Sequence, residues 1–263
     1  MPDSYRLLPG LHLVRRDATH VQLGVDPPRV AVLRDVPEVR RLVGELSIGR
    51  RPAQPGAEAS RALAAILDAG LLVRDDSAAR RERLQKAHLE VDAPQDVSEA
   101  VTALLRASGA VEQQRPRSTH AVLLVTEGEP RRDRLDPLVR EEVPHLLVRD
   151  HGHELVVGPF VVPGTTACLR CVDCHHGDAD PRRGLVVEQV ATQPPLVPVA
   201  ADPSLRAIAL SLAVRDLVTF AEGGRPATWS ATIRVTAELD LAPRHWLRHA
   251  ACGCAWDALA DTG

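Results

Sequence analysis

Five cysteines are the residues with the clearest potential for chemistry. Cys168 and Cys171 form a Cys-x-x-Cys motif, Cys174 follows it, and Cys252 and Cys254 form a Cys-Gly-Cys motif near the end of the sequence. A Cys-x-x-Cys turn presents two thiolates to one metal ion, and two cysteine pairs complete the tetrahedral shell that structural zinc prefers. We therefore predict a structural zinc site formed by Cys168, Cys171, Cys252 and Cys254.

Two other interpretations of the cysteines stay open: packed thiols without metal, and a thioredoxin-like redox pair at Cys168 and Cys171. Zinc is favoured because the two pairs come from distant parts of the chain, and iron is the other metal that suits four thiolates. Such a shell has no open position for a substrate, so we expect no catalytic metal. Cys174 is expected to be free or to lie beside the ligands.

The polar residues around Cys174 could also bind metal. They are Asp173, His175, His176, Asp178 and Asp180. Such residues are usually solvated, so we interpret them as a polar loop without ligands.

Composition narrows the function classes. The 263 residues are 44% hydrophobic and 25% charged, as in a globular protein of one or two domains. No apolar run approaches the roughly 18 residues of a membrane span, and the first residues do not resemble a secretory signal, so we expect a cytoplasmic protein without membrane partners. A net charge of −3, no long basic run and 2% aromatic residues argue against nucleic-acid partners.

The front of the chain predicts a small winged-helix-like domain over residues 1–83. The stretches LHLVRR, HVQLGV and RVAVLRD predict three antiparallel strands. Asp35 is placed to cap a helix through PEVRRLVGEL, a short helix fits the break at 49–56, and AEASRALAAILDAG predicts a third helix that ends at Gly70. The charged segment 74–86 is predicted to be a connector, with a continuous helix as the alternative.

The remainder, residues 84–263, predicts an α/β domain. Strands at HLEV, HAVLLV and HLLVRD alternate with helices at DVSEAVTALLRASG and near LDPLVREEV, which indicates a parallel sheet with crossover helices. Asp202 and Pro203 begin a long, buried helix, and TWSATIRVTAEL predicts a half-buried strand.

The segment VVGPFVVPGTTACLRCVDCHH resembles the ThiF/MoeB-like, ubiquitin-activating-type family, and especially its relatives in thiazole/oxazole-modified peptide biosynthesis. The long helix and the closing HAACGC match the same layout, so the resemblance covers about residues 85–263. The front, residues 5–75, is similar in element order to the RiPP recognition element, a winged-helix peptide clamp. The resemblance implies an α/β protein: an N-terminal clamp of three strands and three helices, then a ThiF-like Rossmann-type domain with structural zinc.

One departure from the family bears on catalysis. An adenylating member has a glycine-rich turn after its first strand, where the backbone approaches nucleotide phosphates. Here the turn after HLEV is DAPQD, which has no glycine and two carboxylates, and GAVEQQRPRS has no clear match to the family's ribose and phosphate contacts. We therefore expect a degenerate domain that binds no ATP and has no catalytic residues.

The clamp resemblance implies that a leader peptide adds as a strand to the third strand and lies against the third helix. Carried onto this sequence, the peptide-binding residues are Arg29, Val30, Val32, Leu33, Arg34, Arg61, Ala65 and Asp68. Without the resemblance, an arginine-bearing strand of this kind would be interpreted as a guarded sheet edge.

These expectations combine into a noncatalytic adaptor in RiPP biosynthesis. It would bind the leader of a ribosomal precursor peptide and deliver it to a YcaO-type cyclodehydratase or another modifying enzyme, with homodimerisation left open. One alternative is an ATP-dependent adenylating enzyme. The other is a zinc-stabilised winged-helix DNA-binding regulator, suggested by three excess positive charges in residues 1–83, although Arg61 would be its one strong base reader.

Overall fold

The structure is a computed structural model that describes residues 5–50, 55–74, 76–110, 120–197 and 202–254. The chain divides into two compact units, Met1–Arg80 and Arg81–Gly263. Among the described residues, no helix has both the length and the apolar character that a membrane span needs.

The first unit contains the three predicted strands and two more. Its elements are β1 (Tyr5–Leu7), β2 (Leu13–Arg15), β3 (His20–Leu23), β4 (Ala31–Arg34), α1 (Pro37–Ser47), α2 (Ala57–Asp68) and β5 (Leu72–Arg74). Strands β2, β3 and β4 form an antiparallel sheet in that order, as predicted, and β1 pairs antiparallel with β5. Gly24 (φ +80°) makes the turn that leads to β4, where an added Cβ would lie 2.0 Å from the Arg29 carbonyl oxygen.

Helical periodicity places the core of this unit on one side of the sheet. Helix α1 buries Val39, Leu42, Val43 and Leu46, and α2 buries Ala59, Ala62 and Ile66. They pack against the inward side chains of β3 and β4, Val21, Leu23, Ala31 and Leu33. The alternation of these strands leaves the side chains of Val32 and Arg34 on the exposed face.

Two expectations for the front need correction, at Asp35 and in the charged connector. Asp35 does not cap α1, since Val36 is the N-cap and Asp35 instead accepts two hydrogen bonds from Arg40, at 2.5 and 2.9 Å. The short helix expected in the break at 49–56 falls mostly on 51–54, outside the described residues, and stays a prediction. Most of the charged connector is helix α3 (Ser77–Lys86), in which Glu82 and Lys86 pair at 2.5 Å one turn apart.

The second unit is built on a six-stranded sheet. Its elements are β6 (Leu89–Asp92), α4 (Gln95–Ala107), β7 (Ala121–Glu127), α5 (Asp136–Arg140), β8 (His145–Asp150), β9 (Leu155–Val161), α6 (Leu169–Gly177), α7 (Arg183–Val190), α8 (Pro203–Ala221), β10 (Ala231–Val235) and β11 (Arg244–His245). The strand order is β11-β10-β9-β8-β7-β6. The predicted parallel pairing holds for β6, β7 and β8, whereas β9, β10 and β11 are antiparallel.

Helices cover both faces of this sheet. On one face α4 and α8 pack against Leu123, Leu146, Val148 and Val157. Helix α8 begins as predicted, because the side chain of Asp202 accepts a hydrogen bond from the Ser204 N–H at 2.7 Å. On the other face, Val122, Leu124 and Leu147 pack with α6, Trp246 and the cysteines. Strand β10 is more buried than predicted, since Thr232 lies under Trp246 and accepts its indole N–H at 3.0 Å.

Candidate functional site

The structure brings together the four cysteines predicted to bind metal. Cys168 is the N-cap of α6, Cys171 lies in its first turn, and Cys252 and Cys254 come from the segment after β11. The sulfur atoms of Cys168 lie 3.8 Å from Cys171 and 3.6 Å from Cys252, and those of Cys171 and Cys254 are 3.3 Å apart. Four Zn–S bonds of about 2.3 Å would place sulfurs about 3.8 Å apart, so the donor set and its spacing fit zinc.

Hydrogen bonds among the thiols of this cluster shift their pKa values in opposite directions. Cys168 donates a hydrogen bond to Cys171, which raises the pKa of Cys168 and lowers that of Cys171. A hydrogen bond with Cys168 is also the main cause that lowers the pKa of Cys254, to about 7. Because the thiolate is the form that binds metal, the cluster favours ionisation at two of its four positions.

Hydrogen bonds of Arg248 and His249 order the segment after β11 around its cysteines. Arg248 donates to the carbonyl oxygens of Gly164 and Cys254, both at 2.7 Å. The carbonyl oxygen of His249 accepts the Cys252 N–H at 3.0 Å. The bond to Gly164 fastens the segment to the loop before α6, and the other two fix the turn that contains Cys252 and Cys254.

The residues predicted to form a polar loop are instead mostly ordered on α6. His175, Asp178 and His249 have ligand atoms within 4.8 Å of one another, a second group with metal-binding potential. However, His175 Nε2 bonds the Leu247 carbonyl oxygen at 2.9 Å, and His249 Nε2 bonds Asp178 at 3.1 Å while its Nδ1 accepts the Ala251 N–H. Both Nε2 atoms are therefore engaged, and we interpret the group as a brace between α6 and the last segment.

The remaining polar residues near the cysteines have other partners. Asp173 accepts two hydrogen bonds from Arg132, at 2.6 and 3.0 Å, and Asp180 accepts the Arg182 N–H at 3.0 Å. Cys174 is half-buried beside the four-cysteine cluster, where it lines a cavity of about 630 Å³ together with Asp173 and Cys252.

A crevice of about 740 Å³ lies at the carboxyl ends of β6 and β7, the edge at which open α/β sheets usually bind ligands. Four carboxylates line it, those of Asp92, Glu127, Glu129 and Asp133. The chain's own arginines neutralise most of them: Arg134 contacts both oxygens of Asp92, at 2.7 and 2.6 Å, and Arg131 pairs with Asp133. The segment GAVEQQRPRS lies almost entirely outside the described residues.

Glu129 is the best-enclosed carboxylate of this crevice. Its side chain is 9% exposed and accepts hydrogen bonds from Arg149 at 2.6 Å and from Arg132 at 2.8 Å. Burial opposes ionisation of Glu129, but the two arginines outweigh it and lower its pKa. Sequence reasoning missed this network. The available signal was the presence of charged residues directly after β7 and within the end of β8.

In the first unit, β4 is an edge strand whose outward backbone groups can be identified. The Asp35 N–H donates to Thr19 at 2.8 Å, and the Arg16 N–H donates to His20 at 2.9 Å on the other side of β3. Since bonding directions alternate along an antiparallel strand, the N–H and C=O groups of Val32 point away from β3. The backbone N–H and C=O groups of Arg34 also point away from β3, but its carbonyl oxygen already accepts the Val36 N–H at 3.0 Å.

The side chains beside this edge form one ionic group. Arg34 pairs with Glu58 of α2 at 3.3 Å, and Arg61 pairs with the same carboxylate. Glu58 was not predicted to belong to the site, although its spacing of three residues from Arg61 is the usual one for a helical ion pair.

The other predicted peptide contacts are placed unequally. Arg29 and Asp68 are exposed, and Val30 and Ala65 are half-buried. Leu33 is 3% exposed in the core and its backbone pairs with β3, so it is removed from the set. Inward-facing strand residues belong to the core, which is why this assignment fails.

Three solved structures share the fold of the chain. A heterocyclase in complex with substrate and cofactor matches at a TM-score of 0.67 and 16% identity over 96% of this chain and 39% of that one. The heterocyclase TruD matches at 0.70 and 15% identity over 97% of this chain and 43% of that one. E. coli MccB matches at 0.63 and 10% identity over 96% of both chains.

The chain has the fold of these proteins. These likenesses, all below 25% identity, show the fold of the chain, and the ThiF-like resemblance stays a prediction. The chain spans about two fifths of the heterocyclases and nearly all of MccB. No protein-family model and no curated protein sequence matches it.

Proposed function

We propose that the chain is a noncatalytic adaptor of RiPP biosynthesis. It binds the leader of a ribosomal precursor peptide on its first unit and delivers the peptide to a YcaO-type cyclodehydratase that forms azolines. The observation that carries the proposal is the outward edge at Val32, which has no partner strand among the described residues and lies next to the ionic group of Arg34, Glu58 and Arg61. The fold shared with heterocyclases and MccB, one of them solved with its substrate, supports the same setting.

Peptide binding follows from strand addition. A leader residue opposite Val32 exchanges two backbone hydrogen bonds with it, each contributing on the order of 1 kcal/mol net. The 43% exposed side chain of Val32 offers an apolar contact to alternate residues of the peptide. Two guanidinium groups share the single carboxylate of Glu58. This ionic group therefore has one excess positive charge and favours a leader with an acidic side chain at this point.

Zinc has a structural role in this proposal. Cys168, Cys171, Cys252 and Cys254 would hold it, and the ion would fasten the segment after β11 to the start of α6. Four thiolate ligands fill its shell, so it supplies no activated water.

The crevice at β6 and β7 supports the noncatalytic part of the proposal. The turn after β6 is Ala93-Pro94, and α4 begins without a side-chain cap or a glycine. Nucleotide phosphates placed here would face the exposed carboxylate of Glu127, while Arg134 and Arg131 are already paired with Asp92 and Asp133. Repulsion would therefore oppose the binding that an adenylating enzyme requires.

Fluorescence anisotropy with labelled leader segments of precursor peptides encoded beside the gene tests the proposal. We expect saturable binding that Val32→Pro weakens at least about tenfold, because proline removes the outward N–H. The matched control is Arg15→Pro on the opposite edge, where the N–H also points outward and the peptide does not dock. Absence of saturable binding, or equal loss in both variants, would contradict the proposal.

An adenylating enzyme is the second candidate. It is favoured by the match to the structure of E. coli MccB with ATP, which has a TM-score of 0.63 over 95% of this chain. ATP–pyrophosphate exchange above background, with the leader peptide present, would establish it. The DNA-binding alternative gains no support, since its one strong base reader, Arg61, is paired with Glu58.

A further inference from the structure

Arg149 occupies an unusual position for an arginine. It lies near the end of β8, two residues after Leu147, and therefore on the sheet face that packs against α6 and Trp246. Its neighbours in register are Thr126 of β7 and Val156 of β9. The side chain is 8% exposed, so this cation is inside the protein.

The ion pairs of Arg149 leave part of its guanidinium unused. One Nη donates to Glu129 at 2.6 Å, and Glu129 and Asp173 both bind Arg132. These two arginines and two carboxylates balance each other in charge. The Nε of Arg149 is buried and has no hydrogen-bond partner within the described part of the chain.

Two further arginines reach the same region from other elements. Arg183, the first residue of α7, is half-buried, and its Nε is likewise buried without a partner among the described residues. Arg244 of β11 stacks over Trp246 at 4.2 Å, and the ring of His176 lies 5.1 Å from that indole. Neither Arg183 nor Arg244 has a carboxylate within ion-pair distance in the ranges that the structure describes.

His176 lies between these cations in the fold. The Asp180 N–H donates to the His176 carbonyl oxygen at 3.0 Å, and the Arg183 N–H donates to the Asp180 carbonyl oxygen at 2.9 Å. On α6, His176 stands three residues after Asp173, which the ion pairs through Arg132 and Glu129 connect to Arg149. Burial lowers the pKa of His176, and the charges of Arg183, Arg244 and Arg149 lower it further, whereas Asp173 alone raises it. Asp173 is already bound to Arg132. Arg183 and Arg244 thus add positive charge beside His176, and no acid with an ion pair to either is present among the described residues.

Such an arrangement is unfavourable unless something completes it. Buried donors without partners and neighbouring like charges both cost stability, and an oxyanion would relieve both through charge-assisted hydrogen bonds. We propose that Arg149, Arg183 and Arg244, together with His176, form a binding site for a phosphoryl or carboxylate oxyanion between β8, α6, α7 and β11. This site is separate from the β4 edge and does not depend on the proposed peptide binding.

Isothermal titration of the full chain with inorganic phosphate tests the site, at an ionic strength held constant with chloride. We expect saturable binding that Arg183→Gln and Arg244→Gln each weaken about tenfold, the size expected for one charge-assisted hydrogen bond. The matched control is Arg182→Gln, which removes a neighbouring exposed arginine and should change the affinity less than about twofold. Variants at Arg183 and Arg244 keep the test independent of Arg149, whose replacement endangers folding.

A second titration with acetate distinguishes the two sources of the oxyanion. Tighter binding of phosphate assigns the site to phosphoryl groups, and tighter binding of acetate assigns it to carboxylates. Heat that does not saturate with either anion would overturn the proposal, because water alone would then satisfy the arginines. Equal effects of Arg182→Gln and Arg183→Gln would overturn it too, because the binding would then reflect general surface charge.

Discussion

The outer edge of β4 and the crevice at the carboxyl ends of β6 and β7 differ in how their polar groups are satisfied. At the edge, the N–H and C=O groups of Val32 have no partner strand within the part of the chain that the structure describes. In the crevice, Arg134 covers Asp92 and two arginines cover Glu129. A surface that binds a ligand must leave groups available for it. This difference is the basis on which we propose recognition for the first unit and a supporting role for the second.

The largest expected effect separates the two units by their dependence on metal. Cys171→Ser removes a fully buried thiol of the four-cysteine cluster. Since structural zinc contributes on the order of 10 kcal/mol to folding, the second unit should lose its cooperative unfolding transition and its bound metal. The first unit has no cysteine, so hydrogen exchange should remain slow in β2, β3 and β4.

The control for this prediction is Cys174→Ser, which alters a half-buried thiol outside the cluster. Metal content and thermal midpoint should stay near those of the parent protein. A Cys171→Ser protein with full metal content and an unchanged midpoint would show that the cysteines are packed without metal.

The second effect concerns the buried network of the crevice. Glu129→Gln leaves Arg149 and Arg132 without their shared charge, and breaking a buried pair in this way costs about 3–5 kcal/mol. Urea denaturation should show this loss in the second unit. Glu127→Gln is the matched control, because Glu127 lines the same crevice but is exposed. Equal stability of both variants would mean that the network is not stabilising.

The lowered pKa of Glu129 also predicts how the stability of the second unit depends on pH. Because its pKa is lowered in the folded state, its contribution is fully present above the ordinary glutamate value of 4.5. It is lost as the pH falls through the lowered folded value. Below pH 4.5 the stability of the parent protein should therefore fall more steeply with decreasing pH than the stability of Glu129→Gln. Parallel pH profiles of the two proteins would refute this assignment.

Local patterns explain what could be predicted from sequence. Alternating residues predicted β2, β3 and β4, and the Cys-x-x-Cys spacing predicted a cluster that the structure brings together. The failures involve competing or distant partners. Asp35 binds Arg40 and does not cap α1, and the pairs of Arg34 with Glu58 and Arg132 with Asp173 join residues 24 and 41 positions apart. No sequence period reveals contacts of that kind.

A smaller effect tests the charge of the ionic group of Arg34, Glu58 and Arg61. Arg61→Glu reverses the charge of an exposed residue that pairs with Glu58. We expect affinity for an acidic leader segment to fall about tenfold, or about 1.4 kcal/mol, with little change in stability. Arg41→Glu makes the same change in net charge on α1, where it is exposed. Anisotropy titrations that weaken equally in both variants would assign the effect to overall charge.

The smallest effect tests whether the crevice could regain a ligand. Asp92→Asn breaks the pair with Arg134, in which both side chains are nearly half exposed, so the loss of stability should stay below about 1 kcal/mol and diminish with salt. The freed arginine would offer nucleotide phosphates one attractive charge, but Glu127 and Asp133 remain in the crevice. Titration of this variant with ATP should still show no binding. Saturable ATP binding would mean that a single carboxylate separates the crevice from a nucleotide site, and the contrast with the β4 edge would then be one of degree.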